Sequence, residues 1–288
     1  MAVTVKTRNV VHVEDCECYL NGDRPVLVEP CYTPDRAFKA VTWNTDAKTR
    51  KGVKLGWMTG IHYGAPAEES GVMNTCPDST PGCRTSCLFT AGRAEFDPKI
   101  ASARIFRTVM FVTAKPAFWT QTIKDILALK RAAARRGLRP CVRMNGTTDI
   151  PWERVRIKGT GTDYDGLTLM EAFKDVQFYD YTKTISRLDN TPDNYYLLAS
   201  YSEAMNLATL WQLTDAGHNV AVVFRVCDHQ GTCGCPLPPS WSNVAVVNGD
   251  KSDIRFEDPA GVIVGLKAKG RARDDVAGFV VDMRGWWK

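Results

Sequence analysis

The residues best suited to chemistry are three cysteines in the segment CPDSTPGCRTSC: Cys76, Cys83 and Cys87, spaced C-x6-C-x3-C. Thiolate is a soft ligand for iron–sulfur clusters and for zinc, and a loop carrying Pro77, Pro81 and Gly82 can wrap three sulfurs around one centre. Structural zinc normally takes four protein ligands, whereas a cluster held by three thiolates leaves one iron open to a substrate or cofactor. The spacing therefore points to a metal centre, a 4Fe–4S cluster ahead of zinc. A second group, Cys227, His229, Cys233 and Cys235, lies in CDHQGTCGC. Three cysteines and a histidine are a known zinc set, although this spacing is not a standard zinc finger. Three readings stay open there: a closed zinc site, a source of the fourth ligand to the first centre (as Cys16 or Cys18 would also be), or reduced loop thiols.

Other chemistries have less support. His62 lies upstream of Cys76 in the same region, so a Cys–His nucleophile is conceivable without any help from spacing. Asp149, Asp180 and Glu203 would suit a paired-carboxylate hydrolase, but that leaves the cysteines unexplained. The net charge of +5 and pI near 8.6 do not mark a dedicated nucleic-acid-binding domain. Basic stretches at residues 130–139 and at Lys267, Lys269, Arg271 and Arg273 read as solvated faces before phosphate contacts. No secretory leader is visible and no apolar run is long enough to span a bilayer, so a cytoplasmic protein without a membrane is expected. Ten cysteines in a reducing compartment favour metal ligation or catalysis over disulfides.

The elements that must position these residues follow from periodicity. An apolar fraction of 44% and eight tryptophans supply a core without staples, so any metal is functional. Residues 1–36 read as an irregular extension, and 37–288 as a single barrel-like domain in which 45–93 form the cysteine loop. The first strand is expected at 37–44, with helices at 99–111 and 116–137. Then come the runs PCVRMNG, VQFYDYTK, YYLLASYS, NVAVVFRV, NVAVVNGD and GVIVGLKAKG, with LTLMEAFKD and EAMNLATLWQLTDAG as helices between them. Repeated strand–helix units predict an α/β fold with a largely parallel sheet, a complete or partial (β/α) barrel. The polar residues just beyond these runs should converge on one mouth: Arg143, Asn145 and Asp149; Asp180 and Lys183; Ser200 and Glu203; Arg225; Asn248, Asp250 and Asp253; Lys267 and Lys269. No glycine-rich phosphate loop follows any strand.

The segments NTDAKTRKGVKLGWMTGIHYGAP, CPDSTPGCRTSCLFTAGR, VRMNGTTDIPWE and FYDYTK resemble, in their order, a phage-encoded family of the gene-product-88 kind. That family is more distantly similar to phage three-cysteine proteins that resemble radical S-adenosylmethionine enzymes. The resemblance runs from about Ala37 to Val281. It implies that Cys76, Cys83 and Cys87 are cluster ligands, that Asn145, Asp149, Asp180 and Lys183 face the cluster inside a barrel like that of the radical enzymes, and that the protein works in the host cytoplasm. The spacing differs from the C-x3-C-x2-C those enzymes usually carry directly after the first strand.

Three functions follow as expectations. In an enzyme, the open iron would bind S-adenosylmethionine, Arg143 or Arg225 pairing its carboxylate and Asp149 or Asp180 its ribose hydroxyls. In a nucleic-acid-binding protein, Lys130, Arg131, Arg135, Arg136, Lys267 and Lys269 would meet phosphates, while Trp57 and Trp152 stack on bases; Trp119, in a helical pattern, reads as core. In a redox or regulatory protein, a fourth protein ligand would close the cluster. The partner is accordingly a small molecule or a nucleic acid.

Overall fold

The computed structural model describes residues 38–43, 50–90, 97–228 and 234–286. The expected extension at 1–36, with Cys16 and Cys18, and also His229 and Cys233, lie outside them.

The apolar runs become strands of one sheet. β1 (Thr42–Trp43) pairs antiparallel with β2 (Trp57–Ile61). Parallel to β2 follow β3 (Arg139–Arg143), β4 (Gln177–Thr182), β5 (Tyr195–Ser200) and β6 (Val220–Arg225). Beyond them come β7 (Ser240–Trp241), β8 (Val244–Asn248), β9 (Ile263–Lys267) and β10 (Val280–Asp282). The ten-stranded sheet runs β1-β2-β3-β4-β5-β6-β9-β8-β7, with β10 attached to β6. Its path is open, since no pairing among the described residues joins its two ends. The architecture is thus mixed α/β, mostly parallel.

Five α-helices accompany the strands among the described residues: α1 (Pro81–Thr85), α2 (Pro98–Thr113), α3 (Lys115–Ala134), α4 (Leu169–Ala172) and α5 (Leu207–Asp215). Asp97 caps α2 by accepting from Lys99 N, and Pro98 occupies its first turn, where a missing N–H costs nothing. Gly137, at φ +63°, turns the chain out of α3 toward β3. No helix among the described residues is long and apolar enough to cross a membrane.

Strand alternation divides the sheet into two faces. Val142, Phe178, Leu197, Ala199, Val222 and Phe224 join the core built with Phe118, Trp119, Ile126 and Leu129 of α3, Met170 of α4 and Leu210 and Leu213 of α5. The opposite face carries Trp57, Cys141 and Tyr179, packed on Ile254, and beside them Leu198, Ala221 and Val264. Its cover follows from topology. After β8 the chain turns back to insert β9 next to β6, and a right-handed crossover made in that reversed direction must pass over the face the helices leave bare. Residues 249–262 do this, placing Ile254 against Trp57, Cys141 and Tyr179.

Two sequence expectations change. Within 45–93, expected to be irregular, β2 is a strand with all five residues buried. A strand covered on both faces shows no alternation, which is why WMTGI did not announce itself. Gly60 belongs to that packing: a Cβ there would lie 2.8 Å from both Leu129 Cδ2 and Val41 Cγ1. Conversely, of the first strand expected at 37–44, the described residues form strand only at Thr42–Trp43. The amides of Ala40 and Val41 donate instead to the buried Asp125 carboxylate of α3, at 2.8 and 3.1 Å, so they have no strand partner to seek.

β10 takes an unusual place. β5 and β6 pair only as far as Ser200 and Ala221, while Val223–Arg225 of β6 pair with β10. β9 holds the other side of β6 over Val220 to Phe224, so β10 occupies the side that β5 has left. β5 and β6 therefore diverge toward their carboxyl ends, and the last strand fills the gap.

Candidate metal centre

The cysteine loop leaves β2 over the carboxyl edge of the sheet. His62, its first residue, is 1% exposed, its Nδ1 2.8 Å from Ala40 O and its ring edge-on to Phe118 and Trp152. Burial, aided by the nearby Arg107, pushes its pKa down to about 3. It is a neutral core residue, bonded to a backbone carbonyl and packed on aromatic rings, a poor base for the Cys–His nucleophile.

Three tethers then shape the loop. Thr75 Oγ1 donates to Ala65 O at 2.6 Å while Thr75 O accepts from Asp149 N at 2.8 Å, fixing Cys76 beside the segment that leaves β3. Thr80 caps α1, accepting from Cys83 N, with Pro81 in the first turn. Glu203, just past β5, accepts from Thr80 Oγ1 at 2.8 Å and from Gly82 N at 2.7 Å. Gly82 has to be glycine, because a Cβ would stand 2.8 Å from both Glu203 Oε1 and Phe279 Cβ. Farther on, Phe89 N donates to Cys87 Sγ at 3.4 Å, and Phe89 O accepts from Arg104 Nη1 at 3.0 Å. The Arg104 guanidinium lies 5.2 Å from the Tyr63 ring and 5.3 Å from that of Phe89.

These tethers make Glu203→Ala informative. Removing a carboxylate that accepts two hydrogen bonds should cost about 1–3 kcal/mol. Limited proteolysis should cut residues 76–90 severalfold faster than in the wild type, and an unchanged cleavage rate would show that the clamp does not hold the loop.

The three thiols are half-buried and in no disulfide. Burial raises each pKa, that of Cys87 to about 11, and the thiols also act on one another: Cys76 on Cys83, and both on Cys87. Cations oppose this, Lys183 through charge and a hydrogen bond at Cys83, Arg104 through charge at Cys87. At neutral pH the three are therefore thiols, poor nucleophiles that would release protons on binding a metal. Among the described residues no group of three His, Cys, Asp or Glu side chains is arranged to hold a metal ion. Bonds of 2.3 Å in a tetrahedron would require sulfurs about 3.8 Å apart.

Of the other expected site residues, the charge of Lys183 eases deprotonation of Cys83 and that of Asp149 opposes it at Cys76. Asn145 and Asp180 serve one step farther back. Asn145 Oδ1 accepts from Thr148 Oγ1, Ile150 N and Trp152 Nε1, and Asp180 accepts from Asn145 N at 2.7 Å and Tyr195 OH at 2.9 Å. Together they shape the segment that carries Asp149. Arg225 is engaged elsewhere, with Asp282 at 3.3 Å and with the carbonyl of Asp275. Arg143 faces away from the helices, 3.5 Å from Asp253 and stacked on Tyr181. Cys227 and Cys235 pack against the main apolar core, while His229 and Cys233 lie outside the described residues.

The expected nucleic-acid contacts do not form one surface. Trp57, Trp119 and Trp152 are 8%, 1% and 0% exposed, so none offers a face to a base. The exposed Arg131, Arg135 and Arg136 sit where α3 leads into the amino end of β3, whereas Lys267 and Lys269 follow the carboxyl end of β9. In a parallel sheet these are opposite edges. Sequence reasoning, for its part, missed Arg104, hidden in a helical period, and Arg187, which clamps Asp149.

The sequence profile of the family described as Gene product 88 matches residues 38–282. The chain belongs to the Gene product 88 family. The matched span takes in the cysteine loop, Glu203, Lys183 and β10, so the whole arrangement around the thiols lies inside the Gene product 88 region. No curated protein and no solved structure matches this Gene product 88 chain.

Proposed function

We propose that Cys76, Cys83 and Cys87 hold a 4Fe–4S cluster with one iron open, at the mouth of a partial (β/α) barrel of the radical S-adenosylmethionine kind. The observation that carries this is the donor set: three half-buried thiols that act on one another, flanked by Lys183 and Arg104, at the carboxyl edge of a mostly parallel sheet. A cubane is larger than an ion, and its thiolates stand farther apart than those around one zinc. The three thiols are near enough for their charges to act on one another, as ligands of one centre would be. The two cations suit the negative charge such a thiolate-bound centre carries.

When bound, the cluster supplies one-electron chemistry and a coordination position for a cofactor such as S-adenosylmethionine. The chain's part is positional. Glu203 fixes α1 and with it Cys83; Thr75 and Asp149 fix Cys76; Phe89 and Arg104 fix Cys87. Among the described residues, Cys141 is buried beside Thr59 and Cys227 and Cys235 pack on the core, which favours an open iron over a closed redox centre.

Anaerobic reconstitution of the full chain tests it. The expected product is brown, with about four irons and four sulfides per chain. Cys76→Ser, Cys83→Ser and Cys87→Ser each lose it, while Cys141→Ser keeps it. With a reductant and S-adenosylmethionine, the loaded protein forms 5′-deoxyadenosine. A colourless protein containing zinc rejects the cluster, and a loaded protein that forms no deoxyadenosine restricts the centre to electron transfer or sensing.

A further inference from the structure

The outer side of α3 carries positive charge that the thiol centre does not use. Asp125, the helix's only acid, is 0% exposed and bound to Lys39 and to the amides of Ala40 and Val41, so it lends no negative charge to that side. Lys124, Arg131 and Arg135 recur at intervals of seven and four residues, which puts them on one side of the helix, and all three are exposed. Arg136, also exposed, follows in the turn that Gly137 completes.

The sheet brings a further cation beside them. β2 and β3 pair with Trp57 opposite Arg139, and Arg139 N donates to Gly56 O at 2.9 Å, so the turns that enter these two strands lie side by side at the amino edge. The turn into β2, Gly52–Leu55, carries the exposed Lys54. A Cβ at Gly56 or at Gly137 would meet nothing within 4 Å, so both turns face open space. Asp175 and Glu257, acids at this edge, are already held by Lys130 at 2.6 Å and Arg139 at 3.3 Å. No ion pair among the described residues involves Lys54, Lys124, Arg131, Arg135 or Arg136. Cations do stabilise the carboxyl end of a helix, but that effect fades within the last turn. Lys124 stands well before that turn of α3, and Lys54 belongs to another element.

We propose that this amino edge binds the phosphate backbone of duplex nucleic acid without reading its sequence, Lys54, Lys124, Arg131, Arg135 and Arg136 supplying the charge. Between Lys124 and Arg135 the helix spans about 16 Å, a length over which a duplex carries about ten phosphate charges. A single strand would need aromatic faces to stack on, whereas Trp57 is 8% exposed and lies beneath the Arg139 guanidinium at 3.9 Å. A lipid surface would need an apolar face to bury, and among the described residues Leu55 is the one large apolar side chain exposed on these turns. The thiols lie at the opposite edge, so this surface is independent of the cluster reading.

The test is fluorescence anisotropy of the full chain against a labelled random-sequence DNA duplex, with salt raised from about 50 to about 200 mM. Log affinity should fall against log salt with a slope of about −3 to −4, the mark of roughly four phosphates met. Arg131→Gln with Arg135→Gln should weaken binding about tenfold or more at the low-salt end and flatten the slope by about 2. Lys251→Gln with Arg271→Gln, which removes two exposed charges beyond the carboxyl ends of β8 and β9, should leave affinity and slope unchanged. Circular dichroism checks the fold of every sample, and Lys54→Gln with Arg136→Gln repeats the test if the first pair misfolds. A parallel arm with duplex RNA shows which duplex is preferred, and binding of either supports the proposal. Absence of binding to both at low salt overturns it. So does an equal loss from the two pairs of variants, which would make total charge responsible rather than this edge. Tighter binding of a single strand of the same length, or of phosphatidylserine vesicles, than of the duplex overturns it as well.

Discussion

Arg187→Met should lower the free energy of unfolding by about 3–5 kcal/mol. The Arg187 side chain is 2% exposed and serves two carboxylates that are nearly as buried: Glu153, reached by Nε and Nη2 at 2.9 Å, and Asp149, reached by Nη1 at 2.5 Å. It also donates to Thr182 Oγ1 at 3.1 Å and Tyr195 OH at 3.3 Å. Methionine fills much of the volume but leaves two interior carboxylates without the cation that grips them both, Arg154 staying 3.9 Å from Glu153, and this accounts for most of the expected loss. Arg187→Lys should recover only part of it, because an ammonium cannot reproduce the two-pronged grip on Glu153. Urea denaturation measures the effect, and a loss below about 1 kcal/mol would falsify the view that this network is a buried clamp rather than a solvated ion pair.

Asn145→Asp should be nearly as damaging, and its cost should depend on pH. The substitution keeps the Oδ1 that accepts from Thr148, Ile150 and Trp152. It replaces the Nδ2 donor, 3.3 Å from Asp180 Oδ2, with a second carboxylate oxygen. Burial already pushes the Asp180 carboxyl up to about 7, although Arg143 and the Asn145 amide pull it back. With another acid beside it, the pair holds a proton in the folded chain well above the pH at which the unfolded chain releases it. The folded state then binds more protons than the unfolded state, so stability is fully present below about pH 4 and falls as pH rises through 7. Wild-type Asp180, itself raised to about 7, already shares this slope below that pH, so the variant's excess loss, up to about 1.4 kcal/mol per pH unit, opens above pH 7, where only the pair still keeps its proton. Thermal unfolding at pH 5 and pH 8 should show a small deficit at the first and a large one at the second. Equal deficits would mean that the two oxygens do not share a proton.

What the sequence revealed depended on whether the signal was local. Runs such as VAVVFR and YYLLAS are apolar, β-branched or aromatic, and of strand length, and they became β6 and β5. WMTGI escaped notice because cover on both faces erases alternation, and VVD because three residues carry no period. Asp125 shows the limit in a helix: an acid among lysines reads as solvent-facing, yet it is 0% exposed and binds the amides of Ala40 and Val41. At the site, spacing drew attention to Cys76, Cys83 and Cys87, and being next to a strand end flagged Lys183, Asp149 and Glu203. Arg104 and Arg187 had no comparable mark, since their roles arise only when the chain brings Phe89 and Glu153 to them. The expectation for Arg225 fell on a strand end of the right kind, but Asp282 of β10 reaches it first.

The position of β10 also sets an order of events during synthesis. The loop with its three thiols, the helices and β2 to β6 have all been translated well before residues 279–282 leave the ribosome, and domains build from the amino end as they emerge. Until then the gap beside β6 lacks its strand, Phe279 is not over Lys183, and Gly82 has no wall behind it. Nascent chains therefore display the thiols in a half-walled cleft, with the closing strand as its final stitch.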